Sequence, residues 1–320
     1  MRRFVLFAAA LALCGTALAQ QNYPSRPLRM IIPWPPGQAT DLVGRVLAQK
    51  LAEVLGEPVV PDNRAGAGGM IGTEFVAKAT PDGYTLLAAS SGPITVNPLL
   101  QKTAYDVERD FAPVAKIGVS PYLLVTHPSF PAANAKEFVA LARANPGKYT
   151  FASSGTGATA HLICEWFNMR NGLQATHVPY KGSAPALADV IGGQVTYMIE
   201  TVAATMPLVR SGRLRAYGVS LANPTALAPG IEPLTKTLAL PGFDVGAWLG
   251  VMVTAGTPKP IVDRLAGALE TVMQSAEVRE RIAVVGMEVD YRRTDEFVPY
   301  LKEQQARFAD IIKQGGIKID

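Results

Sequence analysis

The feature that most constrains this chain is the alternation of short apolar runs with helical repeats. Leu28-Arg29-Met30-Ile31-Ile32 reads as a strand. A 3.6-residue pattern follows from about Ala39 to Leu55, with Leu42, Val43, Val46, Leu47, Leu51 and Val54 at helical spacing. Pro58 to Val60 is a short second strand and Tyr84 to Ala89 a third. Tyr149 to Ser153 and Val195 to Ile199 suggest a second sheet, with Leu214 to Ser220 beside them. The last third contains helical patterns from Pro260 to Ser275 and from Thr294 to about Gln314, the latter stopped by Gly315-Gly316. Strand and helix in regular succession predict an α/β protein with largely parallel sheets.

No long linker divides the chain. Two extended stretches, near Pro121–Thr126 and Gly246–Thr254, can instead cross between two lobes. The expected arrangement is interleaved, with residues 20–120 and 247–320 in one lobe and 121–246 in the other. No internal repeat or low-complexity tract competes with it.

The first nineteen residues have the order of an export signal. Arg2 and Arg3 precede an uncharged apolar run from Phe4 to Leu13, and Ala17-Leu18-Ala19 supplies a small-x-small cleavage site. Cleavage is expected before Gln20, which places the mature chain in the periplasm. Cys14 follows Leu13 where a lipid-anchor signal needs a small residue, so a lipoprotein is not expected. The net charge of +4 falls to +2 once the leader is removed. So small a surplus, without a dense basic run, gives no basis for nucleic-acid binding. Cys164 alone survives cleavage, so no internal disulfide is available.

Four loops at the ends of strands carry small and polar residues. Pro33-Trp34-Pro35-Pro36-Gly37-Gln38-Ala39-Thr40-Asp41 joins the first strand to the first helix, with Thr40 or Asp41 as candidate caps. The N–H groups of a helix's first turn are unpaired and carry partial positive charge, so such a loop can hold an anion. Ser153-Ser154-Gly155-Thr156-Gly157, followed by His161, has the same character. So does Tyr180-Lys181-Gly182-Ser183, with Ser183 as a candidate cap and Pro185 in the first turn. Ser90 and Ser91 end another strand. Loops of this kind at the carboxyl ends of strands are what a ligand crevice in an α/β protein requires.

The same stretches resemble the Bug family, the substrate-binding proteins of tripartite tricarboxylate transporters. The likeness is carried by the Pro33–Asp41 loop, Asn63-Arg64-Ala65-Gly66-Ala67-Gly68-Gly69, Pro81-Asp82-Gly83-Tyr84, and Ser154-Gly155-x-Gly157 with His161-Leu162. His177-Val178-Pro179-Tyr180-Lys181-Gly182, Trp248-x-Gly250 and Ala255-Gly256-Thr257-Pro258 extend it over the mature chain. The resemblance implies a type II periplasmic-binding-protein fold, a Venus flytrap, closing on a small di-, tri- or aromatic carboxylate. It also implies membrane permease subunits as partners, a monomer, and no cofactor. One carboxylate would lie between the loops at Gly37–Asp41 and Ser153–Thr156, and the ligand's far end would meet the second-lobe loops and Glu200-Thr201. Trp34 and Gln38 stand where Phe and Gly are more usual in the family, and Glu200 where Asp is common.

Other readings of the residues are weaker. Ser154, His161 and Glu165 can be drawn as a hydrolytic triad, but there is no G-x-S-x-G elbow and all three lie in one turn-helix segment. His161, Cys164 and Glu165 are too few for a metal site, with His127 and His177 in unrelated segments. His161 is expected to line or brace the crevice. In Gly66 to Gly72 the third glycine falls one residue late for a dinucleotide fingerprint. A sensing receptor acting through a signalling partner is the remaining alternative to transport.

Overall fold

Residues 23–318 are described in the computed structural model, so the leader and its cleavage site lie outside the described residues. The strands are β1 (Leu28–Ile32), β2 (Val59–Asn63), β3 (Thr85–Ser90), β4 (Phe111–Ser120), β5 (Tyr122–Thr126) and β6 (Thr150–Ser153). They continue with β7 (Thr176–Pro179), β8 (Tyr197–Thr201), β9 (Arg215–Val219), β10 (Ala247–Thr254) and β11 (Glu288–Arg293). The helices longer than one or two turns are α1 (Ala39–Leu55), α2 (Met70–Ala77), α3 (Ala135–Ala144), α4 (Thr159–Asn171) and α5 (Ser183–Ile191). After them come α6 (Val202–Arg210), α7 (Lys259–Gln274), α8 (Ala276–Val284) and α9 (Thr294–Gly315).

Two sheets result. One has the order β11-β4-β10-β3-β1-β2, the other β7-β6-β8-β5-β9. Each is buried on both faces, which is why their strands read as nearly continuous apolar runs. Along β1, Leu28, Met30 and Ile32 enter one core and Ile31 the opposite one. Along β5, Tyr122 and Leu124 face one core, Leu123 and Val125 the other. This is the two-residue period of a strand read out as burial. Pro61, which cannot donate to a ladder, is accommodated because β2 is an edge strand.

The sheets are mixed rather than largely parallel. β1 runs parallel to β2 and β3, and β6 to β7 and β8. The pairs β10–β3, β10–β4, β11–β4, β5–β8 and β5–β9 are antiparallel. The reason is the crossings. β4 leaves the first sheet and becomes β5 of the second after the single residue Pro121, and β10 brings the chain back beside β4.

The C-terminal helix also departs from expectation. Phe297 and Leu301 of α9 lie in a core of the first sheet, but Phe308 and Ile311 lie in a core of the second. A helix of 22 residues is about 33 Å long, enough for its two halves to serve different cores. Arg307 of α9 donates to the carbonyl of Asp244, beside the returning crossing.

Candidate functional site

A cavity of about 780 Å³ opens between the two sheets. Among the described residues its wall holds the starts of α1, α4 and α5, besides Met70 at the start of α2 and Thr201 ahead of α6, and none of its lining side chains is Lys, Arg, His, Asp or Glu.

The first is α1. Its cap is Gln38, in extended conformation and without a side-chain capping bond, rather than Thr40 or Asp41. The first helical bond is closed by Leu42 N–H on the Gln38 carbonyl at 2.9 Å, so the N–H groups of Ala39, Thr40 and Asp41 precede any helical acceptor. Gln38, Ala39, Thr40 and Trp34 border the cavity. Pro36, Gly37 and Asp41 do not, and they shape the loop instead. Asp41 is buried and accepts from Gly37 N–H, Asn63 Nδ2 and Arg45 Nε, each at 2.8 Å. Burial pushes its carboxyl up, but the bonds from Asn63 and Gly37 and the charge of Arg45 outweigh that and hold it below the ordinary range. Gly37 has φ of 88° and a Cβ there would meet open space. Glycine is needed at this turn for its backbone angle, and not for close approach of a ligand.

The second helix is α4. Leu162 N–H closes on the Ala158 carbonyl, leaving Thr159, Ala160 and His161 N–H ahead of the first helical acceptor. Ser154, Gly155 and Thr156 border the cavity, whereas Ser153 and His161 lie behind them. Ser153 Oγ contacts His177 Nε2 at 2.6 Å and accepts from Gly155 N–H. His161 Nδ1 accepts from Gly157 N–H at 3.1 Å. The two imidazoles stack with centroids 3.9 Å apart, and Phe151 packs beside both, 4.8 Å from His177 and 6.1 Å from His161. Desolvation, reinforced by the neighbouring His161, lowers the His177 pKa to about 4. His161 therefore braces the loop, and His177 braces it with Ser153. With Nδ1 engaged by Gly157 and Nε2 lying 3.6 Å from Glu165 Oε1, no hydrogen bond joins His161 to Ser154.

The third helix is α5, where Gly182 and Ser183 border the cavity. Tyr180 donates to Asp189 at 2.5 Å, Lys181 is exposed, and neither lines the cavity. Glu200 is buried beneath the wall. It accepts from Ser183 Oγ at 2.8 Å and from Thr201 N–H at 2.7 Å. Desolvation pushes its carboxyl up, opposed by those two bonds. Thr201 reaches the cavity; Glu200 does not.

Ser90 and Ser91 line the cavity as expected. Sequence reasoning missed Asn97 and Gln101, which arrive on the irregular helical segment after β3, and Met70, Tyr122 and Met287. No local signal marks those positions. Trp34 and Trp248 both border the cavity. Their indole N–H groups are spent on Ser90 Oγ at 2.9 Å and Thr95 Oγ1 at 3.0 Å; what the half-buried Trp34 offers a ligand is carbon, while Trp248 is buried behind the wall. Among the described residues no three His, Cys, Asp or Glu side chains are grouped to hold a metal ion. No helix there is long and apolar enough to cross a membrane.

A family model described as the tripartite tricarboxylate transporter family receptor matches residues 43–317. The chain belongs to that receptor family. It is 37% identical over 304 residues to the protein BugT of Bordetella pertussis, covering 94% of this chain and 93% of that one. Among solved structures, an R. palustris protein with adipate shares 30% identity at a TM-score of 0.77, over 92% of this chain and 99% of that one. MatC from Rhodopseudomonas palustris, with bound malate, shares 31% identity at a TM-score of 0.73, over 91% and 100%. The two-sheet architecture is thus the two-lobed fold of these periplasmic binding proteins, and the cavity lies between the sheets of its two lobes.

Proposed function

We propose that this receptor captures a small carboxylate between its lobes and hands it to the integral-membrane permease subunits of a tripartite transporter. It acts as an exported, periplasmic monomer cleaved before Gln20, without chemistry of its own. Residues 20–120 with 247–320 form one lobe and 121–246 the other, with the far half of α9 reaching onto the second. The observation that carries this reading is the pair of uncommitted helix starts, at Ala39–Asp41 and Thr159–His161, beside a cavity with no Lys, Arg, His, Asp or Glu among its described lining residues. Unpaired first-turn N–H groups suit an anion. A buried cavity without cations would hold one by hydrogen bonds, not ion pairs. The adipate and malate bound by its relatives support the ligand class.

A thermal-shift screen over small carboxylates tests it. A ligand at a hundred times its Kd stabilises by about 2.7 kcal/mol, a clear rise in Tm. Stabilisation by uncharged solutes and by no carboxylate would refute the proposal.

A further inference from the structure

Of α1, α4 and α5, which start at the cavity wall, two present first turns with no acid turned toward it, and the third is tied to a buried carboxyl. The start of α4 has no acid in its first turn, and the acid in the first turn of α1, Asp41, is turned away onto Gly37, Asn63 and Arg45. The start of α5 differs. Its first residue, Ser183, gives its hydroxyl proton to the buried Glu200 carboxyl at 2.8 Å. Gly182 brings no side-chain cap, and Pro185 removes one of the three first-turn N–H groups. Glu200 makes no ion pair with Lys, Arg or His among the described residues, so Ser183 Oγ and Thr201 N–H are its hydrogen-bond partners there.

From this we infer that Glu200 is a positioning residue that turns Ser183 into a hydrogen-bond acceptor, so the α5 end of the cleft takes a ligand hydroxyl or amine rather than a second carboxylate. The inference rests on the carboxylate-binding reading above and narrows it to monocarboxylates with a hydrogen-bond donor at the far end. The logic is proton counting. Ser183 has one proton, and Glu200 holds it. Ser183 lines the cavity, and with its proton given to Glu200 its oxygen can only accept there, from a donor and not from a carboxylate. Thr201, whose N–H is also taken by Glu200, lies on the same wall. A carboxylate bridging the α1 and α4 starts would place the rest of the ligand against the carbon surface of Trp34, with its far end toward Ser183.

The test is isothermal titration with two series of matched chain length, unbranched ω-hydroxy monocarboxylates and α,ω-dicarboxylates, from three to eight carbons. Wild type should bind its best hydroxy acid about tenfold tighter than the dicarboxylate of equal length, the scale of one net hydrogen bond. Glu200→Gln can donate to Ser183 and so lets the serine proton turn toward the cavity. That variant should lose the preference or reverse it, and Ser183→Ala should lose it. A purely structural role for Glu200 would weaken both series alike and leave their ratio unchanged. Equal or tighter dicarboxylate binding by wild type, or an unchanged ratio in both variants, overturns the inference alone. If neither series binds, the carboxylate reading falls and the inference with it.

Discussion

Asp41 offers the sharpest test of how the first wall of the cleft is built, because two physical accounts predict opposite signs. It is 2% exposed and ties together Gly37 of the loop, Asn63 at the end of β2, and Arg45 one turn along α1. The Arg45 side chain is 45% exposed, so that pair contributes little. The bonds from Gly37 N–H and Asn63 Nδ2 go to a buried charge, at about 1.5–3 kcal/mol each. Part of this is returned in Asp41→Ala because the desolvated carboxylate is gone, which leaves an expected loss of about 3 kcal/mol. Urea unfolding at pH 7 measures it. The pH dependence has a definite sign. The folded carboxyl titrates below its ordinary 3.8, so its contribution is full above that value and is lost as the pH falls through the lowered one. The gap between variant and wild type should therefore close in acid. Ligand affinity separates the two accounts. If Asp41 acted only as a charge near an anion site, removing it would tighten carboxylate binding. If it holds the loop that aims Ala39 and Thr40 N–H, removing it weakens binding by about tenfold or more. Titration showing unchanged or tighter binding, or unfolding showing a loss under about 1 kcal/mol, refutes the bracing role.

Two further outcomes follow from the packing. Gly286, between α8 and β11, has φ of 76°, and a Cβ there would lie 2.4 Å from Cβ of Ala203 on α6. Gly286→Ala should cost about 2 kcal/mol from crowding, part of it recovered by Ala203→Gly, so strictly additive urea-unfolding energies in the double-mutant cycle would contradict the contact. His177 is held near pKa 4 while an unfolded histidine titrates near 6.5. Stability is therefore undiminished above about pH 6.5 and declines toward pH 4; His177→Gln, compared by thermal melts between pH 7 and pH 5, should show a smaller decline, and equal slopes would exclude this titration.

What the sequence determined by itself was whatever depends on neighbours along the chain. β1 and α1 occur where periodicity places them, at Leu28–Ile32 and Ala39–Leu55, because alternation and the 3.6-residue repeat are local consequences of burial. Turn chemistry marked the Gly37, Ser154 and Gly182 loops, since small and polar residues before a helix announce unpaired N–H groups wherever the helix finally lies. The family was legible too, through motifs spread over the whole chain. Tertiary structure decided everything that depends on partners distant in sequence. Nothing local shows that Asp41 answers Asn63 rather than a ligand, that His177 and not Ser154 faces His161, or that Glu200 stands behind Ser183 instead of in the cleft. Asn97, Tyr122 and Met287 reach the cavity, and Phe308 crosses to the second core, because strands returning between the sheets set their directions. The direction of a side chain relative to a distant wall is not encoded in its neighbours. It is fixed only when the two sheets and their crossings are in place.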